Sequence, residues 1–114
     1  GRVESRKFTI HALLGLPRQC LFGILAHEAF HVWQIQNGGI RLSADPAFRE
    51  GAAQYAQHRL LSLRRQDSWA KLLIENPDPV YGDGLRRFRL FARDRGESKA
   101  LKAAATTDRF PHGY

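Results

Sequence analysis

The chain has 114 residues, 43% of them hydrophobic, which fits one folded domain with a modest core and excludes a disordered segment. No apolar run could span a membrane and no signal-peptide pattern opens the sequence, so we expect a cytoplasmic domain with no membrane partner. The net charge of +7 would suit nucleic acid, but no RNA-binding or zinc-finger pattern accompanies it, so a solvated basic surface is favoured.

The hydrophobic periodicity predicts a mainly α-helical single domain over residues 1–114, with at most a small sheet edge at its N-terminus. Residues 7–12 alternate polar and apolar side chains, which is typical of a short strand. Helices are predicted, in chain order, at 18–37, 46–66, 68–75, 83–96 and 97–105. Asp45 and Asp83 are the expected N-caps of the second and fourth helices, and residues 106–114 are expected to form a loose tail.

The first predicted helix contains the sequence His27-Glu28-Ala29-Phe30-His31, an H-E-x-x-H motif. Four residues make about one helical turn, so both imidazoles project from one face and can bind one Zn²⁺. Glu28 lies between them and is the predicted general base. Two ordinary helix histidines are the alternative, but the apolar neighbours Leu21 and Ile24 favour a pocket wall.

A catalytic zinc site needs a third protein ligand and one open position. Glu50, at the start of the second predicted helix, is the best candidate, and Gly51 beside it allows two helices to approach closely. Gln54, one turn later, is expected to accept the second N–H of a ligand histidine. Two alternatives stay open: Glu50 is a solvated carboxylate at a helix start, or His58 is the third ligand.

Four separated motifs resemble the DA1-like peptidase domain, which forms the C-terminal part of the plant DA1 proteins. They are Leu14 to Arg18, Gly23 to Trp33, Glu50-Gly51 with Gln54, and Tyr81-Gly82-Asp83-Gly84. The resemblance implies a compact helical, zincin-like fold of the gluzincin kind and a zinc metallopeptidase acting on protein or peptide substrates. It implies His27, His31 and Glu50 as zinc ligands and Glu28 as general base. Because the chain contains no LIM-type Cys/His cluster and no ubiquitin-interacting helix, it does not imply regulation by ubiquitin.

The remaining site candidates come from the reaction that such a peptidase performs. Tyr81 is the predicted donor to the developing oxyanion, with His58 and His112 as weaker candidates. Asp83 is expected to be a helix cap or a supporting acceptor rather than a ligand. Other domains of a larger chain are a further expected partner.

Besides a simple nucleic-acid-binding domain, which would bind in a salt-sensitive and metal-independent way, two other functions remain open at this point. One is a DNA-associated zinc protease that uses His58 in place of Glu50. The other is a non-catalytic basic binding module whose zinc site is structural or vestigial, although a structural site has no need of the base Glu28.

Overall fold

The fold consists of packed helices, and the computed structural model describes residues 18–37 and 45–114. The helices in these two ranges are α1 (Arg18–Asn37), α2 (Pro46–Leu63), α3 (Asp67–Glu75), α4 (Tyr81–Arg95) and α5 (Glu97–Thr106). These ranges contain no strand, which confirms the prediction of a mainly helical domain and is consistent with a helical zincin-like fold. The strand predicted at residues 7–12 lies outside the described residues. None of the described helices combines the length and the apolar character needed to cross a membrane.

The start of α2 follows the capping pattern expected from its sequence. The Asp45 side chain accepts a hydrogen bond from the Ala47 backbone N–H at 3.1 Å, and Pro46 occupies the first helical position. The helix ends at Leu63, before the predicted end at residue 66. Arg65 has a φ of +57°, in the left-handed region, and this turns the chain out of the helix.

The start of α4 differs from the sequence prediction, which named Asp83 as its cap. The cap is instead Asp78, whose Oδ1 atom accepts hydrogen bonds from the backbone N–H groups of Val80 and Tyr81, each at 2.8 Å. Asp83 lies within the first turn, where the positive end of the helix dipole favours a carboxylate. The prediction was wrong because two aspartates precede the apolar residues, and the side chain of the earlier one caps the helix from two residues before Val80, its N-cap position.

The contact between α2 and α4 is organised around two glycines. A Cβ atom built on Gly51 would lie 2.5 Å from the carbonyl carbon of Gly84, a separation that real side chains do not adopt. The absence of side chains at both positions therefore lets the two backbones touch. Beside this crossing, Phe48 of α2 packs against Phe88 of α4 with a ring-centroid distance of 6.1 Å.

The C-terminal segment is packed against the helices, so the expectation of a loose tail is wrong. Phe110 is 7% exposed and contacts the Phe48 ring edge-to-face at a centroid distance of 5.0 Å. The Arg87 guanidinium lies over the Phe110 ring, 4.2 Å from its centroid. It also donates a hydrogen bond to the Tyr114 carbonyl oxygen at 2.7 Å. Burial of the Phe110 ring stabilises this segment. The polar residues around Phe110 in the sequence do not indicate that the ring is buried.

Candidate metal centre

α1 presents the two histidines of the H-E-x-x-H motif on one face. His27 is buried and His31 is half-buried, and their Nε2 atoms lie 3.2 Å apart. The four-residue spacing explains the proximity, because it returns to nearly the same side of the helix. One helix therefore supplies two imidazole nitrogens that face the same point.

α2 supplies a carboxylate to the same point. The Oε1 atom of Glu50 lies 3.1 Å from Nε2 of His27 and 2.7 Å from Nε2 of His31. Its other oxygen, Oε2, lies 3.5 Å from Nε of Arg49. Arg49 was not among the site residues predicted from the sequence. His27, His31 and Glu50 form a group of possible metal ligands among the described residues, and we call them the histidine–glutamate cluster.

The rear of the His27 ring is held by two glutamine side chains of α2. The Nδ1 atom of His27 lies 3.2 Å from Oε1 of Gln54 and 3.2 Å from Oε1 of Gln57. Because an amide oxygen can only accept, these partners assign the ring proton to Nδ1 and leave the Nε2 lone pair facing the cluster. Gln54 was named from the sequence; Gln57 was missed, although it follows Glu50 by seven residues, or about two helical turns.

The rear of the His31 ring is held from its own helix. The Nδ1 atom of His31 lies 2.9 Å from Oε1 of Gln34, a side chain that is 1% exposed. The same reasoning assigns the proton to Nδ1 of His31 and the lone pair to Nε2. Sequence reasoning also missed Gln34, and its position three residues after His31 was the available signal.

The cluster has a donor set that could bind a metal ion. Two Nε2 lone pairs and one carboxylate oxygen face each other at 2.7–3.2 Å, an arrangement that repels unless a proton or a metal ion lies between them. A tetrahedral Zn²⁺ with bonds of about 2.0 Å places its ligand atoms about 3.3 Å apart. Imidazole and carboxylate are ordinary zinc ligands, so the residues present fit this ion.

The electrostatics of the cluster favour a bound positive charge. Burial alone would raise the pKa of Glu50, but His27 and His31, when their Nε2 atoms are protonated and donate to the carboxylate, outweigh it and hold that pKa well below its ordinary value. Burial alone would lower the pKa of His31, but Glu50 reverses this effect and raises that pKa. The carboxylate therefore stays ionised and attracts a cation to the two imidazoles.

Glu28 and Tyr81 lie around this cluster with their side chains accessible. Glu28 is exposed, and its charge contributes to raising the pKa of both His31 and Tyr81. The Tyr81 ring lies 6.3 Å from the His27 ring between centroids and is 42% exposed; burial, followed by the Glu50 charge, raises the pKa of its phenol. A neutral phenol is able to donate a hydrogen bond, as an oxyanion partner must.

Three other candidates lie elsewhere. His58 follows Glu50 by eight residues, which rotates it by about 80° and moves it about 12 Å along α2. It faces α3 and α4 instead, in clefts lined by residues that include Asp67 and Arg89. His112 is exposed on the C-terminal segment. The Asp83 carboxylate lies 3.9 Å from the Arg86 guanidinium, on its own helix.

Fold and site together define the class: a mainly helical domain in which an H-E-x-x-H helix and a glutamate from the next helix form a possible metal centre. Comparison with known proteins adds a relative. The chain is similar to Protein DA1 of Arabidopsis thaliana, with 32% identity over 130 aligned positions that cover 87% of this chain. The chain spans 24% of the length of that protein. This similarity supports a relationship to the DA1 proteins.

No protein-family model matches the chain. No solved structure gives a significant match either.

Proposed function

We propose that this chain is a zinc-dependent metallopeptidase domain that hydrolyses peptide bonds in protein substrates. The convergence of His27, His31 and Glu50 within zinc-binding distances of one another carries the proposal. Glu28 follows His27 in the motif and remains exposed, as a base that must reach a substrate has to be. Similarity to Protein DA1 supports the proposal, and so does the resemblance of four motifs to the DA1-like peptidase domain.

The proposed mechanism assigns each part of the reaction to a side chain. His27, His31 and Glu50 would hold Zn²⁺, which would supply a Lewis acid able to lower the pKa of a water molecule and to polarise a carbonyl group. Glu28 accepts the proton from the attacking water and passes it to the departing amine. The Tyr81 phenol donates a hydrogen bond to the carbonyl oxygen as negative charge develops there.

The position of His58 bears on the competing DNA-associated protease. That function uses His58 in place of Glu50, whereas the described geometry brings Glu50 to both histidines and turns His58 toward α3 and α4. Glu50 is therefore the third ligand in our proposal. The partner is a peptide or protein segment, and other domains of a longer chain are proposed to select it.

The first experiment measures bound zinc by elemental mass spectrometry after dialysis, in the wild-type protein and in Glu50→Ala. We expect about one zinc per chain in the wild type and a clear loss in Glu50→Ala, because two imidazoles alone leave the ion poorly held. His58→Ala is the matched comparison and should keep its zinc. A wild type without zinc after reconstitution would overturn the proposal, and zinc loss confined to His58→Ala would support the other ligand set.

The second experiment separates catalysis from metal binding. Glu28→Gln should retain zinc and lose hydrolysis of an unfolded, dye-quenched protein by about 100- to 10,000-fold, since the amide cannot take up the proton. Glu75→Gln, the same change at an exposed glutamate of α3, is the control and should retain full activity. Peptidase activity that survives in zinc-loaded Glu28→Gln would contradict the assignment of the base.

A further inference from the structure

The Gln34 side chain is polar and buried, so its amide group needs hydrogen-bond partners within the protein. It is 1% exposed, on the face of α1 that also carries His31. Its Oε1 atom lies 2.9 Å from Nδ1 of His31, and its Nε2 atom donates to the Ala104 carbonyl oxygen at 3.2 Å. The amide therefore bridges the histidine–glutamate cluster to α5.

The chemistry of these two partners fixes the orientation of the amide. A carbonyl oxygen can only accept, so the NH₂ group of Gln34 must face Ala104 and the amide oxygen must face His31. Ala104 lies in the last turn of α5, where backbone carbonyls have no partner within the helix. The Gln34 amide thus satisfies one of these carbonyls, and the need to do so determines which ring nitrogen of His31 carries the proton.

The two histidines differ in how securely their rings are held. His27 has two glutamine partners, Gln54 and Gln57, both on α2. For His31 the corresponding hydrogen bond from Nδ1–H is accepted by Gln34 alone, and Gln34 itself depends on α5 for its orientation. Loss of one amide at His27 leaves a second in place, whereas loss of the Gln34 amide removes the partner that orients His31.

We propose that Gln34 is a positioning residue that holds His31 in its metal-binding tautomer and couples metal affinity to the docking of α5. This inference rests on the proposed zinc site. α5 docks through small buried side chains, at Ala100, Ala104 and Ala105, so a single buried hydrogen bond is a substantial part of its contact with α1. Zinc binding, which requires the lone pair on Nε2 of His31, then stabilises the docked helix, and undocking of α5 weakens zinc binding by the same free energy.

The test compares Gln34→Met with Gln57→Met, two changes of similar shape that each remove one amide from one histidine. Partners behind a metal-binding histidine typically change metal affinity by about 10- to 100-fold. We expect Gln34→Met to lower zinc affinity in that range, measured by competition with a chromophoric chelator, and Gln57→Met to lower it less. Equal affinities in wild type and Gln34→Met, or a larger loss in Gln57→Met, would overturn the inference.

Two further readouts distinguish this inference from the zinc proposal itself. In the zinc-free protein, ¹⁵N NMR should find Nδ1 of His31 protonated and hydrogen-bonded in the wild type, and only partly protonated in Gln34→Met. If the wild type binds no zinc, the proposed function fails, yet the tautomer measurement still decides whether Gln34 positions His31. An unchanged tautomer in Gln34→Met overturns the positioning role.

The coupling to α5 is measured by amide hydrogen exchange. Addition of zinc should slow exchange in α5 of the wild type and leave it unchanged in Gln34→Met. If the methionine variant does not fold, Gln34→Glu serves instead, because it keeps an oxygen toward His31 and loses the donor toward Ala104. It should keep the tautomer and lose the slowing; zinc-dependent protection of α5 in this variant would contradict the coupling.

Discussion

At the scale of single residues, three glutamine amides decide which side of each imidazole is available to a cation. Gln54, Gln57 and Gln34 all present amide oxygens to Nδ1 atoms, so both Nε2 lone pairs are directed to the same point. Neutral amides suit this task because they orient the rings without adding charge to a buried region. The negative charge of the cluster then comes from Glu50, which is placed where a cation can neutralise it.

His58 permits a residue-scale prediction about charge on the part of α2 that faces α3 and α4. Burial, and then the charges of Arg89 and Arg59, hold the pKa of His58 below its ordinary value of 6.5. Protonation therefore favours the unfolded chain, and stability contributed by neutral His58 falls as pH drops through 6.5 toward the folded-state pKa. Titration of the His58 ring by NMR should give a pKa below 6.5.

Arg89→Gln tests the cause of this effect. Removing the guanidinium should raise the pKa of His58, because the neighbouring positive charge no longer opposes protonation. Arg109→Gln removes the same charge from the C-terminal segment and should leave the titration of His58 where it was. A pKa at or above 6.5 in the wild type would show that the described environment of His58 is wrong.

At the scale of the elements, the crossing of α2 and α4 positions Glu50, the proposed third ligand. Glu50 lies next to Gly51, whose backbone touches Gly84, and Tyr81 begins the helix that carries Gly84. The close approach of α2 and α4 requires glycine at positions 51 and 84, because any side chain at the crossing would push the two helices apart. The same crossing thus sets the distance between the carboxylate and the tyrosine.

Gly51→Ala is expected to destabilise the domain and to weaken zinc binding. The new methyl group would meet the Gly84 backbone, which cannot rotate away, and overpacking of this kind typically costs about 1–3 kcal/mol or more. Urea unfolding measures the stability and chelator competition measures the affinity. Gly23→Ala is the comparison for stability: its methyl group would lie 3.2 Å from Cγ of Gln57 and 3.3 Å from the Leu61 side chain, atoms that can shift more easily than a backbone, so it should cost less than Gly51→Ala. Equal stability of wild type and Gly51→Ala would contradict the close crossing.

The sequence predicts those elements whose signals are local. The range of α1, the Asp45 cap with Pro46, and the role of Gly51 all follow from residues within one or two turns. The end of α2 at Leu63 was not predicted, because an arginine at position 65 gives no indication of a left-handed backbone. The choice of Asp78 over Asp83 as the cap of α4 likewise depends on how the preceding turn folds.

At the scale of the whole molecule, the C-terminal segment completes the core. Phe110 lies against Phe48 and Phe88, which belong to α2 and α4, and is covered by Arg87. The sequence could not predict this because the partners of Phe110 lie far from it along the chain, and the surrounding residues are typical of a turn. A small domain has few such aromatic contacts to spare, so each contributes a large share of its stability.

Phe110→Ala should therefore lower the free energy of unfolding by about 3–5 kcal/mol, as expected for a buried phenylalanine. This is a large part of the 5–15 kcal/mol that is roughly typical of a folded domain. Denaturant unfolding followed by circular dichroism gives the value. Leu90→Ala, at a side chain that is 44% exposed on α4, is the comparison and should cost far less. A loss no greater than that of Leu90→Ala would restore the interpretation of a loose tail.

The hydrogen bond from the Asp45 backbone N–H to the Asp108 carbonyl oxygen, 2.8 Å long, joins the residue that caps α2 to the C-terminal segment. On the ribosome, Asp108 is synthesised 63 residues after Asp45, so the glutamate-bearing helix leaves the exit tunnel before its anchor exists. The histidines and the glutamate are translated early, but the contacts that hold them in place are completed late. A nascent chain of this protein would thus emerge with His27, His31 and Glu50 apart, and the contact that anchors α2 would form only after Asp108 has been synthesised.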